Sequence, residues 1–309
     1  MVQKFGEKVY KLPLNLPGSC PNRDGTIGSG GCTFCDETGA GFQCLPNSYA
    51  IAMQVEKNKA YFRKRFHAHK FIAYFQAFTN TYIPFTQFKA NILAACQEDI
   101  VGISISTRPD CIHDSYLDFL AEIKEKNQID INIELGLQTV NYHTLLKINR
   151  GHTLAEFVDA VLRIQRRNFD ICTHLILNLP GDTILDVVEN AKLLSALQIQ
   201  YVKLHSLYIV DNTPLGEMFK KNLFTIISLE EYIERVITFL AYVDPHMVIQ
   251  RLVGKGPTEH LLFSNWGISW WKIKQSIEEQ LEFRDCLLYT SKPCPRLSTK
   301  PLVSTLEGK

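Results

Sequence analysis

Residues 20–35 read CPNRDGTIGSGGCTFC, and this stretch decides how the rest of the chain is interpreted. Its cysteines, Cys20, Cys32 and Cys35, are spaced C-x11-C-x2-C in a glycine-rich segment that lets the backbone turn tightly. Three soft thiolates suit an iron–sulfur cluster or zinc. A closed site of either kind normally takes four protein ligands. A cluster held by three cysteines would therefore leave one iron free for a substrate or cofactor.

Four interpretations of these cysteines compete. Disulfides are disfavoured because the chain has nine cysteines, an odd number, no secretory signal opens the sequence, and a core of this size needs no crosslinks. Buried structural thiols suit isolated cysteines such as Cys96, Cys111 and Cys172 rather than a C-x2-C pair. A zinc site could take Cys44 as its fourth ligand, although the second C-x2-C pair of zinc ribbons is missing. The fourth interpretation is an open iron–sulfur cluster.

Composition limits the class of protein. The 309 residues, 46% of them hydrophobic, are enough for one large domain or two small ones with a substantial core. A net charge of +1 gives no global field that would attract nucleic acid or a membrane. The sequence contains no run of eighteen apolar residues, so no membrane span is predicted. Unpaired thiols without a signal peptide predict a reducing, cytoplasmic location.

Apolar strands alternate with helices along the chain. Strands are predicted at 8–14, 71–76, 101–106, 129–135, 171–177 and 201–207, and helices at 49–66, 84–96, 114–126, 154–168, 183–197 and 229–242. This alternation is typical of parallel βα units. Six units predict an α/β fold, a partial TIM-type (β/α)6 barrel. A Rossmann-like doubly wound sheet is the alternative, but no G-x-G-x-x-G follows a strand.

Polar segments follow the carboxyl ends of five predicted strands. They are the cysteine loop, Thr79-Asn80-Thr81, Thr107-Arg108-Pro109-Asp110, Gln138-Thr139 and Asn178-Leu179-Pro180-Gly181-Asp182. Barrels of this class place their chemistry at that face, where successive loops converge. Each segment taken alone could also be a simple turn former. Their shared position around one rim favours a functional site.

Several motifs resemble one known family. The C-x11-C-x2-C spacing with Phe34 directly before the last cysteine resembles the cluster loop of radical S-adenosylmethionine (SAM) enzymes. CPNRDGT and GGCTFC are similar to the YhcC/YtqA-type subgroup, which is related to the radical domain of the Elongator wobble-uridine enzymes. Four later segments resemble the subgroup in the same order: YFQAFTNTY at 74–82, STRPDC at 106–111, ELGLQT at 134–139 and NLPGD at 178–182. The resemblance extends over roughly residues 5–284.

The resemblance implies two cofactors. Cys20, Cys32 and Cys35 would hold a 4Fe–4S cluster, and the amino and carboxylate groups of SAM would chelate the open iron. The reduced cluster would cleave SAM to a 5′-deoxyadenosyl radical that takes a hydrogen atom from the substrate. Phe34 is an implied cofactor contact. A one-electron donor of the flavodoxin or ferredoxin type is an implied partner.

The resemblance also suggests which residues hold SAM. Ala77-Phe78-Thr79-Asn80 stands where related enzymes present a Gly-Gly-Glu-like segment to the SAM amino group, so Thr79, Asn80 and backbone carbonyls are the candidates. Gln138 and Arg150 resemble the glutamine and arginine that hold SAM in oxygen-independent coproporphyrinogen oxidases; a solvated Arg150 is the alternative. His174 lies where a related acidic residue meets the ribose; its alternative is a satisfied core histidine.

A buried carboxylate is a further candidate group. Glu134 on the fourth predicted strand could reach the barrel interior, where a carboxylate needs a partner. Arg108 and Lys203 are the candidate partners. A structural network and a substrate contact are both open interpretations of these residues.

Two basic clusters bear on the substrate. Residues 57–70 interleave basic and aromatic side chains, and Arg163, Arg166 and Arg167 form a second cluster. Such clusters could contact RNA, although solvated helix faces are the common alternative. The relation to Elongator implies tRNA wobble-uridine modification, with a small molecule or peptide as the alternative substrate. The rival function is a non-catalytic zinc-binding RNA-binding or scaffold protein.

We expect four segments along the chain. Residues 1–18 form a strand leading into the barrel, residues 19–247 the radical SAM core and residues 248–284 a C-terminal extension. Residues 285–309 lack periodicity and look like translated vector sequence, which predicts a disordered or foreign tail.

Overall fold

Parallel strands alternate with helices through most of the structure. A computed structural model describes residues 2–39 and 41–284. The elements in chain order are α1 (Val2–Phe5), β1 (Val9–Leu14), α2 (Ile51–Phe66), β2 (Lys70–Phe75), α3 (Phe85–Ala95), β3 (Ile100–Thr107), α4 (Asp114–Asn127), β4 (Asp130–Gln138), α5 (Tyr142–Lys147), α6 (Leu154–Gln165), β5 (Asp170–Ile176), α7 (Ile184–Ala196), β6 (Tyr201–His205), β7 (Ile209–Val210), α8 (Pro214–Lys220), α9 (Leu229–Tyr242), β8 (Val248–Arg251), β9 (Leu261–Phe263) and α10 (Trp270–Phe283).

The main sheet has seven strands in the order β1-β2-β3-β4-β5-β6-β8, and every neighbouring pair is parallel. The sequential order excludes the Rossmann-like alternative, because a doubly wound sheet reverses its strand order at a switch point. The predicted partial TIM-type barrel is confirmed, with one strand that the sequence did not predict. This strand, β8, pairs with β6.

The two faces of the sheet differ in chemistry. On β4, Ile133 and Leu135 are fully buried and belong to the main apolar core. Glu134 between them points to the opposite face, where Lys11 of β1 and Lys203 of β6 reach it. The inner face of the barrel is therefore polar, and the apolar core lies between the sheet and the helices.

The predictions about membrane spans, about the boundary between core and extension, and about the tail have different outcomes. Within residues 2–39 and 41–284, no helix combines the length and hydropathy needed to cross a membrane. The predicted boundary between core and extension at residues 247 and 248 stays a prediction. The predicted tail, residues 285–309, lies outside the described residues.

Candidate functional site at the carboxyl end of the sheet

A cavity with a volume of ≈ 240 Å³ opens at the carboxyl ends of the strands. Its wall brings together segments that are far apart in sequence, as the predicted rim requires. The predicted site residues in this wall are Cys20, Cys32, Phe34, Cys35, Thr79, Gln138, Arg150 and His174.

The cysteine loop is fixed to the segment that follows α5. The Thr33 backbone N–H donates to the Ile148 carbonyl at 2.9 Å, and Asn149 Nδ2 donates to the Gly31 carbonyl at 2.8 Å. The fully buried Asn22 returns a hydrogen bond from Nδ2 to the Asn149 carbonyl at 2.6 Å. These three bonds hold the loop in one place without a strand or helix of its own.

Two glycines are required for this packing. Gly31 has a φ of +83°, and a Cβ there would lie 2.9 Å from Cγ of Arg23. Gly151 has a φ of +74°, and a Cβ there would lie 2.8 Å from Oδ1 of Asn22. Since a side chain would be both strained and crowded, Gly31 lets the cysteine loop fold against Arg23, and Gly151 lets the segment after α5 approach Asn22.

Each motif sulfur has an arginine nearby. The Nη1–Sγ distances are 4.0 Å from Arg108 to Cys20, 3.4 Å from Arg150 to Cys32 and 3.7 Å from Arg23 to Cys35. All three cysteines are free thiols. Burial and the neighbouring Cys32 raise the pKa of the Cys35 thiol to about 12, against the opposing charge of Arg23. A metal centre would bind the three sulfurs as thiolates and displace their protons.

Cys44 does not join this group. Its Sγ lies 3.8 Å from the Leu14 carbonyl, and it is absent from the cavity wall. Among the residues that the structure describes, the wall carries three cysteines and not four. This donor set fits a cluster with an open iron better than a closed four-ligand zinc site.

Gln138 and Arg150 meet over Gly136. A Cβ on Gly136 would lie 2.7 Å from Nη2 of Arg150 and 2.9 Å from Nε2 of Gln138. The pairing register shifts between Gly136 and Gln138, and Gln138 has a φ of +76°, so the end of β4 bulges toward the cavity. Arg150 is 7% exposed and donates from Nη2 to the Gly136 carbonyl at 2.6 Å. The solvated alternative for Arg150 is therefore wrong.

The segment after β2 divides into two roles. Thr79 lines the cavity. Asn80 does not line it, and its Nδ2 donates to the Phe75 and Ser106 carbonyls at 3.0 and 2.9 Å. Asn80 thus ties the ends of β2 and β3 together, and its direct contact with a cofactor stays a prediction.

Glu134 is the centre of a buried charge network in the wall of the cavity. It accepts hydrogen bonds from Lys11 at 2.5 Å, Ser104 at 2.7 Å, His174 at 2.7 Å and Lys203. Burial opposes ionisation, but Lys11 and Lys203 outweigh it and hold the pKa of Glu134 well below its usual value. Burial and Lys203 lower the pKa of His174 to about 4, so this histidine is neutral near pH 7.

The predicted partners of Glu134 are half right. Lys203 is confirmed. Arg108 is wrong, because its guanidinium makes a buried salt bridge to Asp110 at 2.8 Å. Sequence reasoning missed Lys11, whose signal was a lone lysine on an apolar strand. Nε2 of His174 is hydrogen-bonded to Glu134, and the residue also lines the cavity.

The basic cluster at 57–70 lies away from the cavity. Lys70 begins β2 and pairs with Glu7 at 3.1 Å, and Arg63 pairs with Asp99, directly before β3. These residues are at the amino ends of the strands, whereas the cavity is at the carboxyl ends. Two members of the second cluster are also paired: Arg163 contacts Asp159 at 2.8 Å, and Arg167 contacts Asp118 at 2.7 Å.

Comparison with known proteins gives consistent matches. The radical SAM superfamily model matches residues 20–194, and the radical SAM C-terminal domain matches residues 199–282. YtqA of Bacillus subtilis is 36% identical over 285 residues, which cover 91% of this chain and 87% of YtqA. YhcC of Escherichia coli is 32% identical over 272 residues, covering 88% of this chain and 86% of YhcC. The resemblance to the YhcC/YtqA-type subgroup is confirmed.

More distant matches connect the chain to Elongator-related proteins. A protein named tRNA uridine(34) acetyltransferase, from Methanocaldococcus infernus, is 25% identical over 156 residues, covering 48% of this chain and 27% of its own length. The solved structure of M. infernus Elp3 has a TM-score of 0.68 at 16% identity and covers 90% of this chain and 64% of Elp3. This likeness shows the shared fold. By its motifs, its barrel and these matches, the chain belongs to the radical SAM superfamily, whose enzymes use a 4Fe–4S cluster and SAM.

Proposed function

We propose that Cys20, Cys32 and Cys35 hold the 4Fe–4S cluster of this radical SAM enzyme, which acts in the cytoplasm. The observation that carries the proposal is the convergence of three free thiols on one cavity, with a guanidinium beside each. Arg108 is already paired with Asp110, so the positive charges of Arg23 and Arg150 are the ones that would stabilise the net negative charge that thiolate ligands bring. Within the described residues, the wall contains no fourth cysteine that would close the site.

Gln138 and Arg150 are the proposed SAM contacts best supported by geometry. They lie together beside Cys32, and a buried arginine suits a carboxylate through charge-assisted hydrogen bonds. Phe34 and Thr79 line the same cavity and would bound the cofactor, while Asn80 orders the loop that carries Thr79. When bound, the cluster and SAM supply a 5′-deoxyadenosyl radical that removes a hydrogen atom from the substrate.

The charge network around Glu134 sets the protonation state and the tautomer of His174 in the cavity wall. The Glu134 carboxylate accepts a hydrogen bond from Nε2 of His174, so the lone pair of the neutral ring lies on Nδ1. Because His174 lines the cavity, this acceptor nitrogen suits a ribose hydroxyl. Lys11 and Lys203 keep Glu134 ionised and so preserve this tautomer.

For the substrate we propose tRNA, with modification of the wobble uridine. The support is the sequence match, 25% identical over 156 residues, to the protein named tRNA uridine(34) acetyltransferase. A small molecule or a peptide is the alternative. Radical SAM enzymes need a one-electron reductant, and we propose a flavodoxin- or ferredoxin-like donor here.

The test is anaerobic reconstitution with iron and sulfide, followed by iron, sulfide and zinc analysis. We expect about four iron and four sulfide per chain, and 5′-deoxyadenosine when SAM and dithionite are added. Cys20→Ala, Cys32→Ala and Cys35→Ala should each abolish iron loading. Cys44→Ala is the matched control and should retain it. Stoichiometric zinc without sulfide would instead support the scaffold interpretation.

A further inference from the structure

The wall formed by β6, the end of β8 and the segment after β8 carries cations that the cysteine site does not use. The cavity wall contains five cationic side chains, Arg23, Arg108, Arg150, Arg251 and Lys255, against one carboxylate, Glu134. The first three lie beside the motif sulfurs. Arg251 and Lys255 are exposed and, among residues 2–39 and 41–284, have no acidic partner. Their charge is available to a ligand.

His205 adds a hydrogen-bond donor to this wall. Nη1 of Arg251 lies 3.5 Å from Nδ1 of His205, and a guanidinium can only donate. Nδ1 therefore accepts, and the ring proton is on Nε2. Burial and Arg251 lower the pKa of His205 well below its usual value, which leaves the ring neutral. Nε2 is buried and has no partner within the part of the chain that the structure describes. An unsatisfied buried donor of this kind calls for an acceptor.

The segment carrying Lys255 is rigidly placed. Asn265 Nδ2 donates to the Gly254 carbonyl at 2.9 Å, and Ser206 Oγ donates to Asn265 Oδ1 at 2.5 Å. A Cβ on Gly254 would lie 3.2 Å from Nδ1 of His205, so the segment packs closely on that ring. Both Asn265 and Ser206 are buried. The backbone of Lys255 is thus anchored at the edge of the cavity.

Aromatic rings accompany these cations. Phe42 and Tyr208 line the same cavity, and their ring centroids are 6.4 Å apart in an edge-to-face arrangement. Cations and aromatic rings in one cavity are the combination that binds nucleotides, since phosphates take the charges and bases stack on the rings.

We propose that His205, Arg251 and Lys255 form a subsite for a nucleotide phosphate, carried either by an RNA backbone or by a mononucleotide. The proposal rests on the proposed function only in taking this cavity as the substrate site. It assigns phosphate recognition to the cavity wall and not to the basic cluster at 57–70.

The experiment compares two double variants with equal loss of charge. Arg251→Gln/Lys255→Gln removes the proposed subsite, and Lys64→Gln/Arg65→Gln removes two exposed cations of α2. Anaerobically reconstituted protein with SAM is titrated with uridine 5′-monophosphate, uridine and a 17-nucleotide RNA stem-loop. We expect the first variant to lose at least tenfold in affinity for a phosphate-bearing probe and less than twofold for uridine. The α2 variant should change by less than twofold throughout.

The two sources of phosphate are distinguished by the probe whose affinity falls in Arg251→Gln/Lys255→Gln. A loss for both the monophosphate and the RNA identifies a mononucleotide-sized subsite, whereas a loss for the RNA alone identifies a backbone phosphate. In Arg251→Gln/Lys255→Gln, RNA binding should also depend less on salt. Each phosphate contact contributes about −0.7 to the slope of log affinity against log salt concentration for single strands. His205→Gln retains an N–H donor and should bind better than His205→Phe by about tenfold.

Two results would overturn the proposal: absence of phosphate-dependent binding to the unaltered protein, or equal losses in the two double variants. SAM cleavage measured in the same preparations reports separately on the proposed function. A preparation that cleaves SAM but shows either result contradicts the phosphate subsite alone.

Discussion

The two ends of the barrel both carry arginine and lysine, but their partners differ. At the amino ends of the strands, Lys4 pairs with Asp170 at 2.6 Å and Lys70 with Glu7 at 3.1 Å. At the carboxyl ends, Arg23 and Arg150 direct their guanidinium groups to sulfur atoms and backbone carbonyls. Lys4 and Lys70 are neutralised by carboxylates, whereas Arg23 and Arg150 are left to receive negative charge.

This difference shows why a count of basic residues is a weak guide to function. Exposed ion pairs such as that of Arg63 and Asp99 contribute little and leave no charge for a ligand. A buried guanidinium beside thiols gains a counter-charge only when the thiols ionise or an anionic ligand binds. The partner of each cation, which the sequence does not reveal, decides which end is functional.

The largest expected effect comes from removing the charge of Glu134. Glu134→Gln leaves the partly buried Lys11 and the buried Lys203 without a counter-charge, so we expect a loss of about 3–5 kcal/mol in the free energy of unfolding. Chemical denaturation of the protein and the variant at pH 7 measures this loss. Glu98→Gln, at an acidic residue outside this network, is the control and should change stability little.

The same network predicts a dependence of stability on pH. The folded pKa of Glu134 lies below the unfolded value of about 4.3, so its contribution is present above that pH and is lost as the pH falls toward the folded pKa. The stability difference between the protein and Glu134→Gln should therefore narrow in acid. A stability difference between the two proteins that stays constant from pH 7 to pH 3 would contradict the lowered pKa of Glu134.

A smaller effect is expected on cofactor binding. Arg150→Ala removes a charge-assisted contact of about 1.5–3 kcal/mol, so SAM affinity should fall by about 10- to 100-fold. Equilibrium binding of SAM to the reconstituted protein measures the change, and iron analysis checks that the cluster is retained. Arg65→Ala at the amino end is the control. Unchanged affinity in Arg150→Ala would remove this residue from the SAM site.

The sequence predicted the barrel because each core strand is a short apolar run between turn residues. Six strands and their helices appear close to their predicted positions. The strand β8 was missed because Val248–Arg251 has the burial of an edge strand, with Val248 and Arg251 exposed. Such a strand has no continuous apolar signal, and only its pairing with β6 defines it.

The site was predictable where the local motif carries the chemistry. The cysteine spacing identified the three thiols, and the resemblance placed Gln138 and Arg150 at one cavity. Contacts between distant segments were not predictable: Lys11 meets Glu134 across 123 positions of sequence, and Asn22 meets Asn149 across 127. Arg251 is another such case, because its role depends on the packing of β8 against β6.

The smallest effect is expected at the amino end. Arg63→Gln breaks an exposed ion pair with Asp99, and such pairs contribute less than about 1 kcal/mol. Cluster content and SAM affinity should stay unchanged, because the residue lies at the opposite ends of the strands from the cavity. Denaturation and SAM titration, with Arg63→Lys as the charge-preserving control, measure both quantities. A loss of SAM or RNA affinity in Arg63→Gln that Arg63→Lys restores would mean that the amino end also takes part in binding, and the contrast between the two ends would then fail.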